Sequence, residues 1–444
     1  MGNKLLVRSY NVELGDCIYV RIPNGSDDFH ILIDCGTKGK KILLETAVKH
    51  LFDILPAGDL PGKKRLDLLV ATHRHEDHIK GFDPEYFKDI QVKNIWLSAL
   101  MDPNHPQAQK SLRLEQFTAG LVQEVVESET NLSPEMEILA SLFNIDNVGA
   151  ENFLREDLPR LNNIQTQYVV AGKTSTDYGV NLAEATIKIL GPEKDIDGYY
   201  LGRDIDDTLN SIESFENDLA NNNTGLANDT PHNISQQDFR MLKSRMLSDA
   251  FFFAEVSSKV TNNSSVVLLI EWKGNRLLFV GDTEWHGEYH KNKRNGGWNV
   301  MWNVRKKDLN SPVDFLKIGH HGSYNATPWD GDKGDNYEVN QILNAILPIP
   351  PNGEKSKAKA IVSTERSTYK TIPKADLLVE LGHRVDNTRN YADAFAAKGI
   401  NPEERVQKIA YERDFLDKNQ PYRTDFEGIL NGKDYVEVEF EAKN

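Results

Sequence analysis

The segment Thr72-His73-Arg74-His75-Glu76-Asp77-His78 holds four ligand-type side chains, His73, His75, Asp77 and His78, within six positions. In an extended stretch, residues two apart point the same way, so His73 and His75 can share one metal ion. Asp77 and His78 fall at a turn into a helix and can address a second ion on the neighbouring side. Imidazole and carboxylate without thiolate suit zinc, manganese or iron. The structural alternative is a polar, exposed turn, but such a cluster costs stability unless something binds it. Two other points in the chain offer the same chemistry. Asp282 follows the apolar run Leu277–Val280 and can either bridge two ions or cap a helix. Phe315–Ile318 runs directly into Gly319-His320-His321-Gly322-Ser323. Three strand ends carrying ligand-type residues point to a two-metal site.

Elements must position these groups. Lys4–Tyr10, Cys17–Arg21 and Phe29–Asp34 read as strands separated by the turn signals Gly15-Asp16 and Asn24-Gly25. Lys40–Phe52 carries Ile42, Leu43, Ala47 and Leu51 at helical spacing. Leu66–Ala71 is a short apolar strand of the kind covered on both faces. Val266–Ile270 and Leu277–Val280 form a hairpin through Lys273-Gly274-Asn275, and Phe315–Ile318 and Ala360–Ser363 complete the set. Strands interleaved with helices predict an α/β architecture of stacked layers.

The 444 residues suffice for one large domain with insertions. Residues 98–163 read as a helical insertion, with Leu112, Phe117, Leu121 and Val125 on one face. Residues 193–260 form a second insertion, whose opening Glu193–Asp218 holds nine acids against two basic residues and suits a mobile or partner-binding loop. The formal net charge of −15 argues against indiscriminate binding to nucleic acid or anionic lipid. No apolar run approaches the ~18 residues of a membrane span, and no secretory signal is visible. Two cysteines, Cys17 and Cys35, suit a reducing cytoplasm.

The combination of HxHxDH, GD and HHGS resembles the metallo-β-lactamase fold, and more narrowly the nuclease-like domain of the competence protein ComEC. Tyr10–Asp16 is similar to that group's opening DVGQGD, and Leu32-Ile33-Asp34-Cys35-Gly36 to its LIDGG. Ile189-Leu190-Gly191-Pro192, Asn262–Val266, Leu278–Asp282 and Tyr422-Arg423-Thr424-Asp425 extend the resemblance nearly end to end. It implies a four-layer αββα sandwich over residues 1–444, with metals at one edge of the paired sheets. The chain departs from the pattern at two places. Asn262 or Asn263 stands where many relatives carry a further histidine, and Ile372-Pro373 where the ComEC group tends to have histidine before proline.

These readings assign His73 and His75 to one divalent ion and Asp77, His78 and His320 to the other, with Asp282 bridging. Zinc is the expected metal, with manganese as the alternative. The ions would activate a bridging water as hydroxide toward phosphorus or a carbonyl carbon. His321 would donate a proton to the leaving group or contact phosphate, although the order of His320 and His321 as ligand and acid stays open. Asn263 and Ser323 are candidate contacts for substrate oxygens, and Asp16 and Asp34 are expected to orient ligands or cap turns. Within the loop 285–311, the stretch His290–Lys307 contains six Lys or Arg and no acid. Lys291, Lys293 and Arg294, interleaved with Trp298 and Trp302, suit contacts to phosphates and bases; the alternative is a solvated loop anchored by its tryptophans. The expected activity is a metal-dependent phosphodiesterase or nuclease acting on DNA or RNA. A hydrolase of a lactone, thioester, β-lactam or small phosphodiester comes second, and a non-catalytic partner-binding module third. The expected partners are a nucleic acid or other phosphodiester, and a protein through the insertions, with no membrane.

Overall fold

The computed structural model describes residues 4–113, 147–202, 255–351, 354, 356–364, 372, 375–386, 429–431 and 434–443. Its architecture follows from how apolar residues alternate along the strands. In β1 (Lys4–Tyr10), β2 (Cys17–Asn24) and β3 (Asp27–Cys35), Leu5, Val7, Ile18, Val20, Ile31 and Ile33 face one way. Leu6, Tyr19 and Leu32 face the other. Successive side chains in a strand point to opposite faces, so each strand supplies two layers of core.

The remaining strands are β4 (Lys64–Leu66), β5 (Leu68–Ala71), β6 (Ile90–Val92), β7 (Ile95–Ser98), β8 (Thr166–Val169), β9 (Ala185–Gly191), β10 (Val267–Trp272), β11 (Asn275–Phe279), β12 (Phe315–Ile318), β13 (Lys359–Val362), β14 (Ile429–Asn431) and β15 (Tyr435–Glu441). They form an eight-stranded sheet ordered β14-β15-β1-β2-β3-β5-β7-β8 and a five-stranded sheet ordered β13-β12-β11-β10-β9, with β4 and β6 paired separately. The inner faces of the two large sheets share one core, in which Val7, Val20, Ile33 and Val70 meet Ile189, Leu268, Phe279 and Phe315. The outer face of the larger sheet packs on the helix Lys41–Ile54 through Leu44, Ala47, Val48 and Leu51. The smaller sheet is covered by the helix Gly297–Val304 and by Glu338–Ile346, whose Val339, Ile342, Leu343 and Ile346 recur at helical spacing. The fold is the four-layer αββα sandwich that the resemblance implies.

Several boundaries differ from the sequence reading. Asp67 interrupts the expected strand Leu66–Ala71 because its carboxylate accepts from the backbone N–H of His30 and pairs with Arg65. Leu66 therefore ends β4, which pairs with β6. The hairpin turn is confirmed, with Lys273 and Gly274 both at positive φ, 42° and 80°. In the helical insertion, residues 147–162 are helical and Asn163 ends them in the left-handed region; Phe117, Leu121 and Val125 lie outside the described residues. Of the acidic segment, residues 193–202 are docked, with Glu193 bound to Arg305 and Asp197 to Lys110, and the rest to 254 lies outside the described residues.

Parallel pairing fixes where the chemistry sits. β3, β5 and β7 run parallel, as do β11, β12 and β13, so their carboxyl ends collect at common edges. His73–His78 follows β5, Asp34 is the penultimate residue of β3, Asp282 follows β11, His320-His321 follow β12 and Ser363 follows β13. No helix among the described residues is long and apolar enough to cross a membrane.

Candidate metal centre

Each ligand-type side chain arrives on a short, sterically tight connection. After β5 the chain runs extended through His75 and turns into the short helix Glu76–Ile79, which carries Asp77 and His78. Gly36, just past β3, lies against this turn, where any Cβ would overlap the Asp77–His78 peptide. Gly281 precedes Asp282 at φ 54°, and a Cβ there would crowd the Cβ atoms of Ser265 and Thr72 at 2.8 and 3.0 Å. Asp34, His320 and His321 also take positive φ, 57°, 42° and 54°. Non-glycine residues held there cost energy and cluster at functional sites.

The side chains converge. His73 Nε2 lies 3.1 Å from His75 Nδ1 and 3.9 Å from Asp282 Oδ2. His78 Nε2 lies 3.2 Å from Asp282 Oδ2 and 3.9 Å from Asp77 Oδ2. Asp77 Oδ2 is also 2.9 Å from His321 Nε2. One donor atom each of His73, His78 and Asp282 falls within a common 4.8 Å, and all three residues are buried. Asp34 orients the group from behind. Its Oδ2 accepts from His78 Nδ1 at 2.8 Å and from Thr72 Oγ1 at 2.7 Å, and its Oδ1 accepts from the Thr72 N–H. A carboxylate on the far nitrogen is how proteins fix the tautomer of a metal-binding imidazole.

The electrostatics describe a place made for positive charge. Burial opposes ionisation of Asp282, yet His78, with lesser help from His320 and His73, holds it well below the usual carboxylate range. For Asp77, burial is likewise outweighed, by Lys38, His321 and His78. Burial disfavours the His78 imidazolium, but Asp282 and Asp34 overcome it and raise its pKa well above the ordinary histidine value. His73 and His75 remain neutral. Burial, with the His78 imidazolium beside it, takes His73 well below its ordinary value, and burial takes His75 down to about 3.

The donor set fits divalent metal. Nitrogen and carboxylate oxygen are the ligands of zinc and manganese centres. More tellingly, Asp77 Oδ1 is fully buried and makes no hydrogen bond, with the Lys38 ammonium 3.9 Å away, and His78 Nε2 faces only carboxylates, Asp282 at 3.2 Å and Asp77 at 3.9 Å. Buried carboxylates and imidazoles crowded on one point without short hydrogen bonds to satisfy them all fit a divalent cation. A second group of candidate ligands, Asp16, Asp34 and His78, does not fit in the same way. There the Lys317 ammonium lies 2.8 Å and 2.9 Å from the two Asp16 oxygens, so the chain supplies its own cation.

The two adjacent histidines, whose order as ligand and acid the sequence leaves open, turn in different directions. His321, not His320, turns toward Asp77, and its Nδ1 donates to the Ser363 carbonyl at 2.8 Å, as a metal-directed imidazole would. His320 instead sets Nδ1 3.1 Å from Glu284 and 3.0 Å from Ser323 Oγ, while its backbone N–H donates to Asp282. Its side chain is 34% exposed against 8% for His321, so it is the one that faces solvent. Asn263 does not reach toward a substrate. Its Oδ1 accepts from the N–H groups of Glu284 and Gly297, and its Nδ2 donates to the Lys259 carbonyl.

Glu284, Lys317 and Lys38 escaped the sequence reading. Lys317 had a signal, a single charge inside the buried strand Phe315–Ile318; Glu284, two residues past Asp282, had none. In the basic loop, Trp298 is fully buried and donates to the Ala326 carbonyl, Trp302 is 5% exposed beneath Lys306, and Arg305 is bound to Glu193. The tryptophans therefore anchor the loop and offer no stacking surface. Lys291 and Lys293 are exposed and Arg294 half-buried.

No family model and no curated protein matches the chain. Among solved structures, the metallo-beta-lactamase fold protein YhfI from Bacillus subtilis is 9% identical with a TM-score of 0.27, over 71% of each chain. A protein of unknown function from Enterococcus faecalis V583 is 11% identical with a TM-score of 0.28, covering 94% of this chain and 69% of that one. At such scores neither adds to the argument from geometry.

Proposed function

We propose that the protein is a metal-dependent hydrolase, and that its substrate is a phosphodiester. The observation that carries this reading is the buried convergence of His73, His78, Asp77 and Asp282, with Asp77 Oδ1 making no hydrogen bond. His73, His75, Asp77, His78, Asp282 and His321 would hold the metal, which when bound supplies an acidified water and neutralises charge developing on substrate oxygen. The chain's own residues do the rest. Asp34 and Thr72 orient His78 and His73, and Ser363 orients His321. Glu284 favours a proton on His320 Nδ1, which leaves that half-exposed imidazole turned to the substrate side, where it can meet a phosphate oxygen or protonate a leaving group. Ser323, 3.0 Å from His320, and Lys38, 3.9 Å from Asp77, are further polar groups beside the cluster.

A small-molecule substrate is the second reading, favoured by the burial of Trp298 and Trp302, which removes the extended stacking surface a nucleic acid would use. Protein loaded with Zn²⁺ or Mn²⁺ should be tested on single- and double-stranded DNA, on RNA and on a small chromogenic phosphodiester. Cleavage of any of them, lost in Asp77→Ala, supports the proposal. Cleavage of lactone or thioester alone would replace it.

A further inference from the structure

Just past β3, Lys38 brings an ammonium to the metal cluster without bonding it there. Its side chain is 15% exposed, and the acidic atom that pairs with it, Asp77 Oδ1, lies 3.9 Å away. That separation makes an ion pair but is too long for a hydrogen bond. The ammonium makes no hydrogen bond to the described chain, whereas Lys317 binds both Asp16 oxygens and the Ile318 carbonyl. The backbone around Lys38 is nevertheless fixed. The Gly36 N–H donates to the Asp16 carbonyl at 2.9 Å and the Lys38 N–H to the Leu14 carbonyl at 2.7 Å. Between them Thr37 is fully buried, its hydroxyl donating to the Val12 carbonyl and accepting from the Gly39 N–H. Gly36 packs so closely on the Asp77–His78 peptide that no Cβ fits, which holds this turn against the one that carries Asp77.

An ammonium offers three N–H donors, and a largely buried one is costly unless an acceptor meets it. Asp77 is a poor permanent partner, because the same carboxylate is turned toward His78 and His321 as a candidate ligand. Positive charge held by Asp77 would leave Lys38 beside a like charge, and an anion lying against both relieves the repulsion. We infer that Lys38 is the specificity-determining residue for substrate charge: its ammonium receives an anionic oxygen of the substrate on the Asp77 side of the cluster. The site therefore selects esters that are already negatively charged over neutral ones. The inference rests on the hydrolase reading and deepens it, because a phosphodiester carries such an oxygen and a lactone or simple thioester does not.

The test uses full-length metal-loaded protein and two esters with one leaving group: methyl para-nitrophenyl phosphate, an anionic diester, and dimethyl para-nitrophenyl phosphate, a neutral triester. A hydrogen bond to a charged group is among the stronger ones, so Lys38→Met should lower the kcat/KM ratio of diester to triester at least about tenfold. Lys38→Arg should keep most of the ratio, because it keeps the charge. Lys38→Gln, neutral but hydrophilic, repeats the comparison if Lys38→Met folds poorly. Metal content measured by elemental analysis should match wild type in every variant. An unchanged ratio overturns the inference, and so does loss of metal from Lys38→Met, which would make the lysine part of the metal scaffold. If the wild type cleaves neither ester, the hydrolase reading fails separately. Calorimetry with dimethyl phosphate and neutral trimethyl phosphate then decides the inference: a preference for the anion that Lys38→Met removes supports it, and equal or absent binding overturns it.

Discussion

Two acid–imidazole clusters lie side by side under the same strand ends, and they are finished differently. Asp16 is buried with Lys317, which also donates to the Ile318 carbonyl, so that cluster closes on itself. Asp77 and His78, on the other side of the Asp16 N–H···O=C Asp77 bond, have no ammonium so close: Lys38 stays 3.9 Å from Asp77 Oδ1, and His78 Nε2 faces only the carboxylates of Asp282 and Asp77. The residue types are alike. What separates the structural ion pair from the candidate ligand site is how closely the chain's own cation approaches, and counting carboxylates and histidines does not reveal that.

The largest effect should come from opening the metal side. His78→Ala removes the imidazole wedged between Asp34 and Asp282. It should abolish metal retention and reduce turnover by roughly a thousandfold or more, the several kcal/mol that a metal contributes to charge stabilisation. Elemental analysis and a chromogenic ester read both. Retained metal with normal activity would mean that His78 is structural.

Breaking the self-closed side should instead cost stability. Lys317→Met leaves Asp16 buried without its cation, and the penalty should be about 3–5 kcal/mol in urea unfolding. The double variant Lys317→Met with Asp16→Leu should recover most of it. If the single variant is as stable as wild type, the contrast between the clusters fails.

Asp34→Asn sits between the two, since it touches His78 without being placed to bind metal. Metal affinity should weaken by about 10- to 100-fold while the fold persists. A change of less than threefold would show that Asp34 does not orient the ligand.

A smaller effect concerns pH. His30 lies away from the site, 2.7 Å from the Tyr19 hydroxyl, and burial brings its pKa from 6.5 down to about 4. Its folded pKa lies below its unfolded one, so the unfolded chain binds more protons between these values. Stability is therefore complete above pH 6.5 and is lost as pH falls toward 4, by roughly 2–3 kcal/mol. His30→Gln should flatten that part of the stability profile; an unchanged profile would move the acid sensitivity elsewhere. The smallest effect is expected from charge reversal at Lys291, Lys293 and Arg294, which should raise KM for a polymeric substrate in a salt-dependent way and leave a small ester unaffected. Equal effects on both would place the loop in the active site itself.

Much of this arrangement was legible in the sequence because short-range rules govern it. The strands β1 and β12 fall at their expected bounds, since their apolar runs are flanked by clear turns. His73, His78 and Asp282 converge because the strand ends that carry them lie together. What could not be read depends on direction in three dimensions. His320 and His321 are adjacent, and only their left-handed backbone decides which turns inward. The tryptophans of the basic loop look exposed in a charged stretch, yet Trp298 and Trp302 lie on the helix face that covers the smaller sheet. Asn263 looks like a free polar group until the N–H groups of Glu284 and Gly297 and the Lys259 carbonyl engage it.

The central claim is that the buried imidazole and carboxylate atoms that meet at His78, Asp77 and Asp282 are there for divalent metal. Equilibrating the purified protein with Zn²⁺ or with Mn²⁺, removing free ion and measuring bound metal by elemental analysis tests it directly. The account predicts a stoichiometry approaching two ions per chain, nearly unchanged in His320→Ala and reduced in His321→Ala. A wild-type stoichiometry that stays near zero would contradict it.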